Sequence, residues 1–529
     1  MSPDETQSDR SPPITFLVST PGGGAAETWL GTIAPALDRL GSWRRVPHPE
    51  SSLPQLASRV EAEGGRAIHL AIGTVHECYL TPAVPSILWP IWDYPDVPDA
   101  DLCDNGRLNF ARVAGHADAI LAASTVVADA FRRIGVATPI LPLPIPARPG
   151  LDRLPTWGKG LLVSADVPHF EWPGRVDEPL AIRSTHARVH ASPAIAPAPS
   201  SLHGRLALAG RKRLRRVKPY LSNASVERLD GFAKGFAPIV PILRRPNPIR
   251  IAGGMIRLGY RHLVRRWIGE AAHNKLRRFG RHGRFGGNDL PGHPPQVLGK
   301  SHLALSGLVF STTVDFADRA GGEHDAISAF LHAFRDRADA TLVIRLSCPA
   351  DREEHDLNQL DGMIRGPRLG QRCRVVAVTD RLSFDGKTAL LQATSFYVEA
   401  RRSSGGSASL VEALAAGRPA IAPGHSGYAD WVDAEVGIAV ESHREPTSWP
   451  IDPLGRTSTE WHRTVWSSLK DAFIEAAAIA DAEPSQYERL SSNARSRMAG
   501  RASVAEAAEI LETTIERIPS RPLGAFAWA

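Results

Sequence analysis

The sequence predicts an α/β protein in which two doubly wound, parallel-sheet domains face a cleft and a basic, partly helical insert separates them. Three observations carry this expectation. Short apolar runs alternate with helix-compatible stretches in both outer parts of the chain, the pattern of parallel strands covered on both faces. The alternation stops near Pro149 and resumes near Leu308. A chain of 529 residues also exceeds one ordinary hydrophobic core. The expected divisions are an N-terminal domain over 12–150, an insert over 151–300, a C-terminal domain with a helical end over 301–515, and a tail over 516–529.

The first domain opens on "ITFLVST" (Ile14–Thr20), followed by a "PGGG" turn and a helix-compatible stretch from Ala25 to Leu40. The turn glycines Gly22, Gly23 and Gly24 are expected to face the cleft, although glycine-rich turns after a first strand are common. The runs "AIHLAI", "SILWPIW" and "ADAILAAS" continue the strand pattern. After the insert come "LVFSTT" (Leu308–Thr313), "ATLVIRL", "CRVVAV", "SFYVEA" and "RPAIAP", and the stretch Trp461–Arg517 reads as helical. Ligands in such sheets bind beyond the carboxyl ends of the strands, so the cleft between the domains is the expected site.

Charge is divided along the chain. Between Arg205 and Arg284 stand 21 basic and 3 acidic residues, while the remainder is net acidic. Within this block, Ile251–Glu270 places Met255, Tyr260, Leu263 and Trp267 at helical spacing, with Arg257, Arg261 and Arg265 on an adjoining face. Three readings stay open: packing against the protein, contact with an anionic membrane surface, and binding of nucleic acid. No recognisable nucleic-acid module accompanies the arginines, so nucleic acid is not the expected partner.

Four scattered cysteines without a CxxC pair argue against a zinc site and fit a reducing compartment. The polar start "MSPDETQSDRSPP" carries no secretory pattern, and no apolar stretch approaches the ~20 residues of a bilayer span. The expected location is the cytoplasm, with peripheral contact at the inner face of the membrane through the insert.

The most specific segment is "SSGGSASLVEALAAGRPAIAPGHSG" (Ser403–Gly427). Leu410, Val411, Leu414 and Ala415 make an apolar helical face, Gly417 suits the left-handed position past a helix end, and Pro419 prevents continuation. The small residues Gly405, Gly406, Ala408 and Ser409 permit close backbone approach to a ligand, and the helix start offers free amides to phosphate. Glu412, in the helix, can accept hydrogen bonds from a ribose diol.

This segment resembles the donor site of family 4 type retaining glycosyltransferases of the GT-B fold, which often carry E-G-x-G-L-P-x-x-E-A-x-A-x-G-x-P. The likeness extends over most of 12–150 and 305–515. It implies a nucleotide-sugar donor, a glycan or lipid-linked acceptor in surface polysaccharide or glycoconjugate synthesis, retention with the departing phosphate assisting acceptor deprotonation, and no cofactor or metal. The lone "DAD" (Asp99–Asp101) is not expected to hold an ion. The second motif glutamate, which holds the ribose, matches Glu412. The first, which contacts the transferred sugar, falls on Ser404. The Arg-Lys pair that neutralises the leaving diphosphate falls on Ala320 and Gly321, with Arg319, Arg401 and Arg402 as nearby substitutes. Loss of those cations should cost several kcal/mol of barrier. "LWPIWDYPDVP" resembles a W-E segment, which places Trp92 at the acceptor and Asp93 in a catalytic role, with His76 as a further cleft candidate. The departures leave a second reading open, that of a non-catalytic relative that binds glycans or serves as a scaffold.

Overall fold

The computed structural model describes residues 12–21, 24–102, 105–174, 302–366, 370–379, 382–452, 455 and 457–519. Gly22, Gly23 and the basic block Arg205–Arg284 lie outside them. Two separate parallel sheets form, as the alternation of strands and helices predicts.

The first sheet is built from β1 (Ile14–Ser19), β2 (Gly41–Arg45), β3 (Arg66–Gly73), β4 (Ser86–Pro90), β5 (Ala119–Ala122) and β6 (Ile140–Pro142), in the order β2-β1-β3-β4-β5-β6. Every pairing is parallel, with Phe16 opposite Ile68 and Val18 opposite Leu70. β3 and β4 are buried almost throughout because helices cover both faces, whereas the edge strand β2 alternates exposed and half-buried positions. The helix Gly24–Leu40 lays Trp29, Leu30, Ile33 and Leu37 against the sheet.

β7 (Val163–Asp166) and β9 (His302–Leu305) pair antiparallel in a small ribbon of their own. The second sheet runs β15-β14-β13-β10-β11-β12-β8, where β8 is His169–Trp172, β10 Leu308–Val314, β11 Ala340–Leu346, β12 Arg374–Thr379, β13 Phe396–Val398, β14 Ala420–Pro423 and β15 Gly437–Val440. β8 alone is antiparallel, on the edge against β12. An aromatic core lies under the sheet, in which Phe310 meets Phe330, Phe334, Phe396 and Phe473 at 5.1–6.1 Å between ring centroids.

Three expected boundaries are corrected. Residues 151–174 belong to the second half, not to the insert. β8 pairs with β12, the Trp172 indole donates to Asp361 Oδ1 at 2.8 Å, and Trp157 packs on Tyr487. Trp461 lies in a strand, because Ser442–Thr447 and Thr459–Thr464 form an antiparallel hairpin and the helices begin only at Trp466. The last helix, Val504–Arg517, leaves the C-terminal half and packs Val504, Ala507, Ala508, Leu511 and Ile515 into the core of the first sheet. Arg66 fastens its end by donating to the carbonyls of Ile515 and Ile518.

Ser503 caps this last helix, its hydroxyl accepting the Glu506 N–H at 3.1 Å. Ser503→Ala is expected to lower stability by about 1 kcal/mol. The midpoint of urea unfolding measures it, and Ser503→Asp should restore the wild-type value.

Among the described residues, no helix is long and apolar enough to cross a membrane.

Candidate functional site

The second sheet reverses direction at β10. The chain proceeds from β10 outward through β11 and β12, then returns to build β13, β14 and β15 on the other side. The carboxyl ends of β10 and β13 therefore flank a topological switch point, where open α/β sheets leave a crevice. A crevice of about 220 Å³ lies there. One wall carries Thr312–Asp315, Asp318, Glu323, Arg345, Tyr397 and Glu399–Arg401, together with Gly406–Ser409. The opposite wall comes from the first half, where Gly24, Ala25, Thr28 and Trp29 open the helix that follows β1.

The helix Ala408–Ala415 forms as its sequence dictates. Ser407 caps it, accepting the Leu410 N–H at 3.2 Å. Gly417 at φ +69° closes it, with the Gly417 N–H on the Leu414 carbonyl and the Arg418 N–H on the Ala413 carbonyl. Leu410, Val411 and Leu414 enter the core. The helix start, Ala408 and Ser409, is turned toward the crevice, where Thr313 donates to the Ser409 hydroxyl at 3.2 Å.

Glu399 follows β13 directly, at 3 % exposure, and its Oε2 accepts from the Ser407 hydroxyl at 3.0 Å. Burial raises its carboxyl to about 6, against the opposing pull of Arg401 and Ser407. Arg401 donates through Nε to Asp318 Oδ2 at 2.7 Å and through Nη2 to Asp93 Oδ2 at 3.1 Å. Burial opposes its charge, but Asp318 and Asp93 overcome that effect and hold it charged.

The structure brings together part of the expected site. Gly24, Arg401, Gly406, Ala408 and Ser409 line the crevice. Leu410 is a core residue. Ser404 is buried, accepting the Gly406 N–H on its hydroxyl, which leaves it no face toward the crevice. Gly405 approaches protein rather than ligand. A Cβ there would overlap the Trp92 carbonyl oxygen and come within 2.8 Å of Val127 Cγ2.

Asp93 is part of this same interdomain contact. Its Oδ1 accepts the Gly405 N–H at 2.7 Å, Oδ2 takes Arg401, and its backbone carbonyl accepts from the Ser403 hydroxyl. Burial pushes its carboxyl up, with Arg401 opposing. Asp93 is thus a latch between the halves. Trp92 is buried among Tyr94, Phe110 and Trp449, with its indole N–H on the Asp96 carbonyl, so its ring has no open face for an acceptor. His76 stacks on Phe110 outside the crevice, and burial depresses its pKa. Arg319 is exposed and not part of the lining.

Glu412 lies one turn into the helix and, unlike Ala408 and Ser409, is not part of the crevice lining. It is buried, and Arg148 holds its Oε1 through Nε. Sequence reading missed Arg148, Glu399, Asp315, Asp318, Glu323 and Arg345. For Glu399 a signal existed. It is the first residue past the strand in "SFYVEA", where the strand-end rule places ligand contacts.

No protein-family model matches the chain, and no curated protein matches it. Among solved structures, the chain is similar to a glycosyltransferase from Rickettsia africae ESF-5, with 9% identity over 96% of this chain and 98% of that one, at a TM-score of 0.47. Sucrose-phosphate synthase from Thermosynechococcus elongatus matches with 12% identity over 96% and 99% of the two chains, at 0.46. The N-terminal domain of Candida albicans trehalose-6-phosphate phosphatase matches with 9% identity over 97% and 98%, also at 0.46.

Proposed function

We propose that the chain is a glycosyltransferase that seats a nucleotide-sugar in the crevice and passes its sugar, with retention, to a glycan or lipid-linked acceptor. One observation carries the reading. Two helix starts, at Gly24 and at Ala408, converge on the same interdomain crevice. Each presents first-turn amides and the positive end of a helix dipole, which together favour a diphosphate. The small residues at both starts leave room for phosphate oxygens near the backbone. Contact with an anionic membrane surface through Arg205–Arg284 belongs to the same proposal, since a lipid-linked acceptor resides there.

Ser409→Asp tests the phosphate position. A carboxylate in the first turn meets the helix dipole favourably but adds charge to a mostly acidic lining, so stability should stay within about 1 kcal/mol of wild type. The same charge repels a diphosphate, and the affinity for nucleoside diphosphates should fall about tenfold or more. Calorimetry with a nucleoside diphosphate panel measures this, alongside turnover of the corresponding nucleotide-sugars. Unchanged affinity in the variant would place the phosphates elsewhere.

A second reading, a non-catalytic glycan-binding or scaffold protein, draws support from the cations. Arg401 is committed to Asp318 and Asp93, Arg148 to Glu412, and Ala320 and Gly321 stand where the family has its phosphate pair. Absence of heat and of thermal stabilisation with every nucleoside diphosphate would favour this second reading.

A further inference from the structure

The charged lining of the crevice is mostly acidic. Asp315, Asp318, Glu323 and Glu399 face Arg345 and Arg401. Arg401 already bridges two carboxylates. An anion entering this space meets repulsion unless one carboxylate gives up its charge. Of these four carboxylates, Glu399 is the buried one. It lies between the ends of β13 and the capped helix, deeply buried yet part of the crevice wall. Its Oε2 is fixed by Ser407, whose oxygen in turn accepts the Leu410 N–H, so the carboxyl is anchored to the start of the phosphate-facing helix.

We propose that Glu399 is a ligand-contacting residue of the crevice that takes up one proton from solvent as an anionic ligand enters, then donates it as a hydrogen bond to a ligand oxygen. This rests on the reading of the crevice as a diphosphate site, and it adds a specificity residue to that site.

The groups around Glu399 fit this role. Burial disfavours its charge, Asp318 adds like charge, and Arg401 and Ser407 oppose them, a balance that leaves the carboxyl at about 6. Tyr397 on its own strand and Tyr428 from the turn Ser426–Asp430 also face it, and burial keeps both phenols neutral. Asp315, Glu323 and Arg345 complete the charged surroundings, with burial pushing the first two carboxyls up. Before binding, Glu399 is therefore mostly ionised at neutral pH but protonates at small cost. An arriving phosphate adds negative charge and raises the pKa further. The sign follows. Affinity is greatest when Glu399 is protonated and falls as pH rises through its ligand-free pKa, by up to about tenfold per pH unit.

Calorimetry of nucleoside diphosphates and nucleotide-sugars, in buffers of different ionisation heat, reads the proton directly. The wild type should take up close to one proton more than Glu399→Gln at neutral pH. Its affinity should also fall more steeply than that of the variant between about pH 6 and 8. The difference between the two proteins removes the titration of the ligand's own terminal phosphate. Ser407→Ala removes a hydrogen bond that favours the charged carboxylate, so it should move the onset of pH dependence upward. Equal proton uptake and equal pH slopes in wild type and Glu399→Gln, with both proteins binding, would overturn the assignment and leave the diphosphate site standing. No binding by the wild type of any of these ligands would overturn both.

Discussion

Arg148→Ala should lower the stability of the protein by about 3 kcal/mol or more, and Glu412→Ala by only about 1 kcal/mol. The asymmetry comes from burial. The side chain of Glu412 is 3 % exposed, whereas that of Arg148 is 19 % exposed. Without Arg148, the carboxylate loses its partner in a buried position. Without Glu412, the guanidinium can turn toward water, keeping its contact with the Phe384 ring at 5.8 Å. Adding Glu412→Ala to Arg148→Ala should therefore restore part of the lost stability, an uncommon outcome for a second truncation. Urea unfolding followed by tryptophan fluorescence gives the three midpoints. A double variant less stable than either single one would show that lost packing, not a stranded charge, sets the cost.

Gly405→Ala is the second large effect, expected to cost about 3 kcal/mol. The added methyl would meet the Trp92 carbonyl, a backbone atom that cannot rotate away, and the Val127 side chain at 2.8 Å. Relief requires separating the loop Ser403–Gly406 from the first half of the chain. That would break the hydrogen bond from the Gly405 N–H to Asp93 and weaken those from Arg401 and Ser403 to the same residue. The variant should therefore show faster amide exchange over 403–407 and over 92–96, at a greater cost than Asp93→Asn alone. Protection unchanged in both segments would mean that the glycine is not required for closure.

Most of the architecture was legible because its signals are local. Each strand run is short, apolar and bounded, and the helix beginning at Ala408 announces its end through Gly417 and Pro419. What escaped depends on distant partners. The stripe of Val504, Leu511 and Ile515 says that one helical face is buried, but not that it covers the first sheet. "TEWHRT" mixes polar and aromatic residues on a partly exposed hairpin, so neither a helical nor a strand period stands out. At the site, the glycines were read as room for a ligand, but Gly405 is room for Trp92. The motif positions Ser404 and Glu412 drew attention because of the family pattern, whereas Glu399 follows from the fold alone. Arg148 reaches Glu412 from 264 residues away, a pairing that no spacing rule addresses.

The return of the last helix to the first sheet has a consequence for biogenesis. The apolar side of the helix Gly24–Leu40 emerges from the ribosome long before the segment that shields it, Val504–Arg517. Throughout that interval the nascent N-terminal half carries an uncovered greasy strip, a natural target for chaperones and a source of clumping if translation stalls. Truncation after about residue 500 should accordingly yield chains that precipitate, and supplying the missing helix as a separate peptide should rescue their solubility.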